Sequence, residues 1–229
     1  QHLTEPNTTP LQLIHCAEQL GWLNREIHPF GDVLSLQPVN AVMLTWYRNN
    51  IVHLLALPSL IACLLVNRRR GIAAERLTAS VDVVYPYIAR ELSGSLVADT
   101  NAALTSMETL GLVRKEADVV LPAAQLSEQR LPLLLLSKLV NETLERMYIV
   151  LSLAHHGRHT RESLCQRSQA AAQQIGRLHG INAPEFFDQR LFDEFVDALL
   201  ANQHLQTDEH ELLVTNTTIA EILHAARTV

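Results

Sequence analysis

Histidines, cysteines and paired carboxylates are the side chains of this 229-residue chain that can do chemistry. His155, His156 and His159 stand around Gly157. Adjacent histidines diverge on a helix, no Cys or carboxylate stands at ligand spacing, and the His-Glu-x-x-His pattern is absent. The trio reads as the polar end of a helix, set against its negative dipole, and no metal or cofactor is expected. Cys16, Cys63 and Cys165 are too scattered for a zinc site or a disulfide framework and fit a reducing compartment. Cys165 beside Gln166 and Arg167 reads as a small packed residue, not a nucleophile. Glu185/Asp188 and Glu194/Asp197, each three apart, belong to water-facing sides of amphipathic segments. Neither a Gly-x-Ser-x-Gly elbow nor a phosphate-cradling Walker loop occurs. No catalytic residue is expected.

Two constellations remain. In Tyr47-Arg48-Asn49-Asn50-Ile51-Val52-His53, polar groups interrupt an apolar helix, with Asn49 and His53 on one face. Buried amides and imidazoles cost free energy unless hydrogen-bonded. Tyr47, Arg48, Asn49, Asn50 and His53 therefore form either an internal network or a docking surface for protein outside this chain. Arg68-Arg69-Arg70 follows the long apolar run Ile51 to Val66. It suits phospholipid headgroups or an acidic carrier protein, and equally a helix C-terminus that favours cations.

The elements that must position these groups are mostly helices. Thr9, Pro10 and Gln12 make a capping box for a helix that Gly21 stops. Trp22-Leu23 and Val33 to Leu36 form a short hairpin. A helix from about Val39 to Leu57 should end at Pro58, with a second helical stretch to Arg70. Helices follow over about 73–92 (perturbed at Pro86), over 100–110, and in one long stretch over 126–154. Thr160 caps another that stops at Gly180. A turn through Phe186-Phe187 leads to an amphipathic helix over 191–201, with Leu191, Phe195, Ala198 and Leu199 inward. A final helix covers about 217–226. Hairpins around polar turns follow the helices at 101–121 and 191–214. The helix-then-hairpin arrangement thus recurs three times, which predicts a mainly α fold with short β-hairpins, arranged as tandem winged-helix-like units.

Composition narrows the function. Apolar residues reach 48% and charged residues 18%, enough for a sizeable core and too apolar for disorder. Eight glycines in a Leu-rich chain argue against a parallel α/β fold with Gly-rich phosphate loops. The net charge of −6 argues against nucleic acid as a partner. The run Ile51 to Val66 is short of the ~20 residues a span needs and contains Pro58, so it reads as a buried core helix. A start at Gln1 with no signal peptide suggests an internal fragment.

Leu44-Thr45-Trp46-Tyr47-Arg48-Asn49-Asn50 with His53 and Leu57-Pro58-Ser59-Leu60 resembles the C-terminal part of bacterial glycerol-3-phosphate acyltransferases. So do Tyr85-Pro86 with Ala89-Arg90-Glu91-Leu92, and the unbroken stretch from His179 through Gly180 and Ile181 to Asp188. The resemblance runs in order from about Leu11 to Leu200 and leaves the last 25 or so residues unmatched. It implies a membrane-associated enzyme that acylates the first hydroxyl of sn-glycerol 3-phosphate from acyl-carrier-protein or coenzyme A thioesters. Its signature is His-x4-Asp, the His acting as general base and the Asp orienting it. No His here has an Asp five positions on: His28/Asp32 is one residue too close, and His204/Glu209 carries the wrong acid.

The expected role is therefore a C-terminal accessory region, inactive alone, of a glycerol-3-phosphate 1-O-acyltransferase. Its expected partner is the catalytic domain of the same polypeptide; the resemblance adds acyl carrier protein or acyl-CoA, glycerol 3-phosphate and the membrane surface. The expected place is the cytoplasmic face of the bacterial inner membrane, with the fragment itself soluble. Three parts are expected: residues 1–70, 71–157 and 158–229. The alternative is a tandem winged-helix-like interaction module with no enzymatic parent. A His-x4-Asp domain elsewhere in the gene product separates the two.

Overall fold

A computed structural model describes residues 9–36, 38–92, 98–181, 184–216 and 219. The chain divides into two compact units, Gln1–Ile51 and Val52–Val229.

The first unit is a helix and a hairpin. Helix α1 (Pro10–Gln19) starts at the expected capping box: Thr9 accepts from the Gln12 amide, and the Gln12 side chain accepts from the Thr9 amide. Strands β1 (Asn24–Glu26) and β2 (Val33–Ser35) pair antiparallel, with Arg25 opposite Leu34. Arg25 clamps the hairpin, donating to Glu18 at 2.6 Å and to Asp32 at 2.8 Å. The start of α2 (Pro38–Val66) belongs here, and Asn40 Nδ2 donates to the Gly21 carbonyl at 2.8 Å.

The helix break expected at Pro58 does not occur: α2 runs unbroken through it. A proline inside a helix costs about 3 kcal/mol. Leu60, Ile61, Leu64 and Leu65 beyond it are all buried, and each buried aliphatic side chain returns about 1.5–3 kcal/mol. Two of them already offset the proline. From Leu60 to Val66 every side chain is buried, so this half of α2 is the core helix expected from the apolar run, although Leu54 and Leu55 remain exposed.

In the second unit, β3 (Ile72–Ala73) leads into α3 (Ala74–Glu91) and α4 (Thr100–Thr109). The hairpin β4 (Val113–Glu116)–β5 (Val119–Pro122) closes a three-stranded antiparallel sheet of order β3-β5-β4. Asp99 caps α4 by accepting from the Ala102 amide. The single long helix expected over 126–154 is two helices, α5 (Arg130–Ser137) and α6 (Asn141–His156). Buried Leu133, Ser137, Val140, Leu144, Met147, Leu151 and Ala154 keep one helical phase across the break, so periodicity hides it. The cause is long-range. Ser59 Oγ donates to the Leu136 carbonyl at 2.6 Å and Cys63 Sγ to the Ser137 carbonyl at 2.9 Å. These α2 side chains satisfy carbonyls that continued helix would have used.

Helix α7 (Arg161–His179) runs from the Thr160 cap to left-handed Gly180. A 3-10 turn, Pro184–Phe187, then α8 (Gln189–Ala201) and the hairpin β6 (Leu205–Thr207)–β7 (Leu213–Thr215) follow. Helix α8 buries Phe192, Phe195, Val196, Ala198 and Leu199. Leu191, expected inward, is only half-buried, and Phe192 on the adjacent edge of the same face is the fully buried one; Asp188 caps the helix, which starts earlier than expected. The expected final helix at 217–226 lies outside the described residues, apart from Ile219. The fold is thus mainly α with three small antiparallel sheets.

Candidate docking interface

In the first unit the sequence-selected residues cluster with aromatic neighbours. Tyr47 is half exposed, lies 6.1 Å from Trp22 with rings inclined at 30°, and meets the edge of Trp46 at 5.3 Å. Asn50 is exposed and Arg48 half-buried, while the Asn49 side chain lies outside the described set. His53, half-buried, falls in the second unit. No described residue of the first unit is buried. Its apolar side chains face outward: Leu11, Leu13, Ile27, Val33, Leu36, Val39 and Trp46 are exposed, and Phe30 is 95% exposed. A unit of this size needs nearly all its apolar surface to offset chain entropy. Among the described residues of this one, Ile14, Trp22, Leu23, Met43 and Leu44 are only half-buried and none is fully buried.

The second unit holds two polar networks that sequence reasoning missed. Arg146, 4% exposed, pairs with Glu91, and Thr143 Oγ1 donates to the same carboxylate oxygen at 3.0 Å. In the other, Asn202 Nδ2 donates into the Tyr87 hydroxyl oxygen at 3.2 Å, and that hydroxyl is hydrogen-bonded to His204 Nδ1. Burial pushes the Tyr87 hydroxyl up, so it keeps its proton at neutral pH. Phe195 packs its edge on the Tyr87 ring at 5.4 Å. Both networks tie α3 to elements 52 to 117 positions away. Glu91 and Arg90 lay within a quoted motif, but nothing local marks their partners.

His156 Nδ1 lies 2.8 Å from the Ser152 carbonyl, and the buried His159 accepts the Leu213 amide on its own carbonyl at 2.8 Å. Among the described residues no group of three His, Cys, Asp or Glu is placed to hold a metal. Burial pushes the Cys63 and Cys165 thiols up to about 12, whereas Cys16 is exposed. A thiol reagent at pH 8 should therefore modify one cysteine of the native chain and three after denaturation. Thiols that ionise near 9 unfolded and near 12 folded stabilise the fold fully below pH 9 and lose that contribution as pH rises towards 12.

In the 179–188 motif, Asn182 and Ala183 lie outside the described residues. The rest is a plug: Phe186 is fully buried, Gln169 Nε2 donates to the Phe187 carbonyl at 2.9 Å, and Asp188 caps α8. A Cβ on Gly176 would stand 2.5 Å from the Phe187 ring. Arg68 is half-buried, and Arg69 and Arg70 are exposed. No described helix is long and apolar enough to cross a membrane.

Comparison with known proteins gives this arrangement a family. The model for the glycerol-3-phosphate acyltransferase C-terminal region matches residues 2–208. A glycerol-3-phosphate acyltransferase of Pseudomonas paraeruginosa is 36% identical over 224 residues, covering 92% of this chain and 27% of that protein. One from Pseudomonas fluorescens is 34% identical over 233 residues, covering 98% of this chain and 28% of its own length. One from Ectopseudomonas mendocina is 33% identical over 233 residues. The chain spans little more than a quarter of the relatives it matches, and it belongs to the glycerol-3-phosphate acyltransferase C-terminal region family.

Proposed function

We propose that this chain is the C-terminal accessory region of a glycerol-3-phosphate 1-O-acyltransferase, and that its first unit docks on the rest of that polypeptide. The parent would transfer an acyl group from acyl carrier protein or acyl-CoA to glycerol 3-phosphate, making lysophosphatidate at the cytoplasmic face of the bacterial inner membrane. The observation that carries the docking is that none of the described side chains of the first unit is fully buried, beside many exposed apolar ones. In this reading Trp46 and Tyr47 supply apolar contact, and Arg48 makes paired hydrogen bonds across the interface. None of Tyr47, Arg48, Asn50 or His53 takes part in chemistry. The recurring helix–hairpin units are winged-helix-like contact modules, as the β3-β5-β4 order supports.

The test has two arms. This chain, given glycerol 3-phosphate and a labelled acyl thioester, should form no lysophosphatidate above background, while the full-length parent should form it. Arg48→Ala should cost the parent about 1–3 kcal/mol more than it costs this chain, the worth of a charged hydrogen bond. Turnover by the chain alone sinks the accessory role. A loss in the chain itself as large as in the parent sinks the docking role of Arg48 and makes it part of an internal network.

A further inference from the structure

The outer face of α5 is apolar where a water-facing helix would be polar. Leu131, Leu134 and Leu135 stand at i, i+3 and i+4 and are exposed, while Leu133 between them is fully buried. Leu126, in the preceding loop, is exposed over its whole surface. The bonds from Ser59 and Cys63 lay the C-terminal half of α2 along α5. Leu55 is one turn before Ser59 on the same stripe, and it and Leu54 are exposed.

Cations frame these leucines. Arg130 opens α5 and donates from Nη2 to the Val66 carbonyl at 2.5 Å. Lys138 follows its last residue, and Arg68, Arg69 and Arg70 follow α2. Among the described residues none of these five has a carboxylate at ion-pair distance, whereas Arg25, Arg114, Arg146, Arg161 and Arg190 all do. Arg69, Arg70 and Lys138 are exposed, whereas Arg68 and Arg130 are half-buried, with Arg68 Nε and Arg130 Nη1 enclosed in the protein. In a chain of net charge −6, Arg69, Arg70 and Lys138 thus stand exposed near these leucines, with exposed Glu128 the carboxylate in the loop before α5.

We propose that this α2–α5 face is where the chain rests on an anionic bilayer, an inference that rests on the membrane-working parent proposed above. The leucines enter the boundary between headgroups and acyl chains, and the exposed Arg69, Arg70 and Lys138 engage lipid phosphates. A bilayer meets both features at once, since its phosphates lie directly over its apolar layer. A protein interface fits less well, because lysine and unpaired charge are depleted from interface cores.

The test is sedimentation of this chain with vesicles. Phosphatidylethanolamine vesicles containing phosphatidylglycerol should bind it about tenfold more tightly than pure phosphatidylcholine vesicles, with the difference shrinking as salt rises. Serine at Leu131, Leu134 and Leu135 together should lower binding to the anionic vesicles by about tenfold or more. So should glutamate at Arg68, Arg69 and Arg70, a set outside any helix that keeps the test independent of α5 folding. Binding unchanged in both variants overturns the proposal. In the full-length parent, maleimide labelling of Leu134→Cys, read peptide by peptide, should be fast without vesicles and slow with them. Slow labelling without lipid means polypeptide covers the face, which overturns the lipid assignment and leaves the accessory role standing. A parent without acyltransferase activity removes the accessory role and leaves the vesicle result as it was.

Discussion

Replacing Arg146 with alanine should destabilise the second unit by about 3–5 kcal/mol, the usual cost of leaving a buried charge without its partner. The Arg146 side chain is 5% exposed and that of Glu91 20%, so little water can take over. Thr143 would still donate to Glu91, but one hydroxyl returns only about 1 kcal/mol. For a domain of this size the midpoint should fall by about 10 °C. The pair is expected to be costly to break and nearly neutral to replace, since apolar side chains of similar volume often substitute for a buried ion pair. Arg146→Met with Glu91→Leu should therefore recover most of the loss. Thermal or denaturant melts of the two variants check this. A loss under about 1 kcal/mol for Arg146→Ala would mean that water reaches Glu91.

Gly71→Ala should cost about 3–4 kcal/mol, adding left-handed strain to overpacking. Gly71 has φ +69°, and a Cβ there would stand 2.4 Å from the Val120 carbonyl oxygen and 2.7 Å from Val119 Cγ1. Val120 cannot yield: it is fully buried and paired with both Ile72 and Lys115 in the sheet. Gly21 is the control. Its φ is +71° with nothing within 4 Å of the added carbon, so Gly21→Ala carries the backbone strain alone, about 1–2 kcal/mol. Urea midpoints of both variants isolate the steric part. Equal losses would show that the junction of α2 and β3 relaxes.

Much of this molecule was legible in its sequence because the signals involved reach only three or four residues. Thr9 and Gln12, Asp99 and Thr160 each satisfy amides of their own helix, and chemistry that short is written in the local sequence. The hairpins β4–β5 and β6–β7 appear where polar turns separate short apolar runs, whereas the first strand of the other is the polar Asn24–Glu26 and not Trp22-Leu23; the quoted motifs led to the right family. Tertiary structure decided what local signals contradict or cannot carry. Pro58 predicts a break that buried Leu60 to Val66 override. The continuous apolar phase of 133–154 predicts one helix, and Ser59 and Cys63, more than seventy positions away, end it at Ser137. The partners of Glu91 and Tyr87 were invisible for the same reason: Arg146 and His204 are brought to them by folding. The exposure of the first unit's apolar residues is likewise a tertiary fact. Periodicity shows which side chains avoid water, but only the folded chain shows which of them still face it.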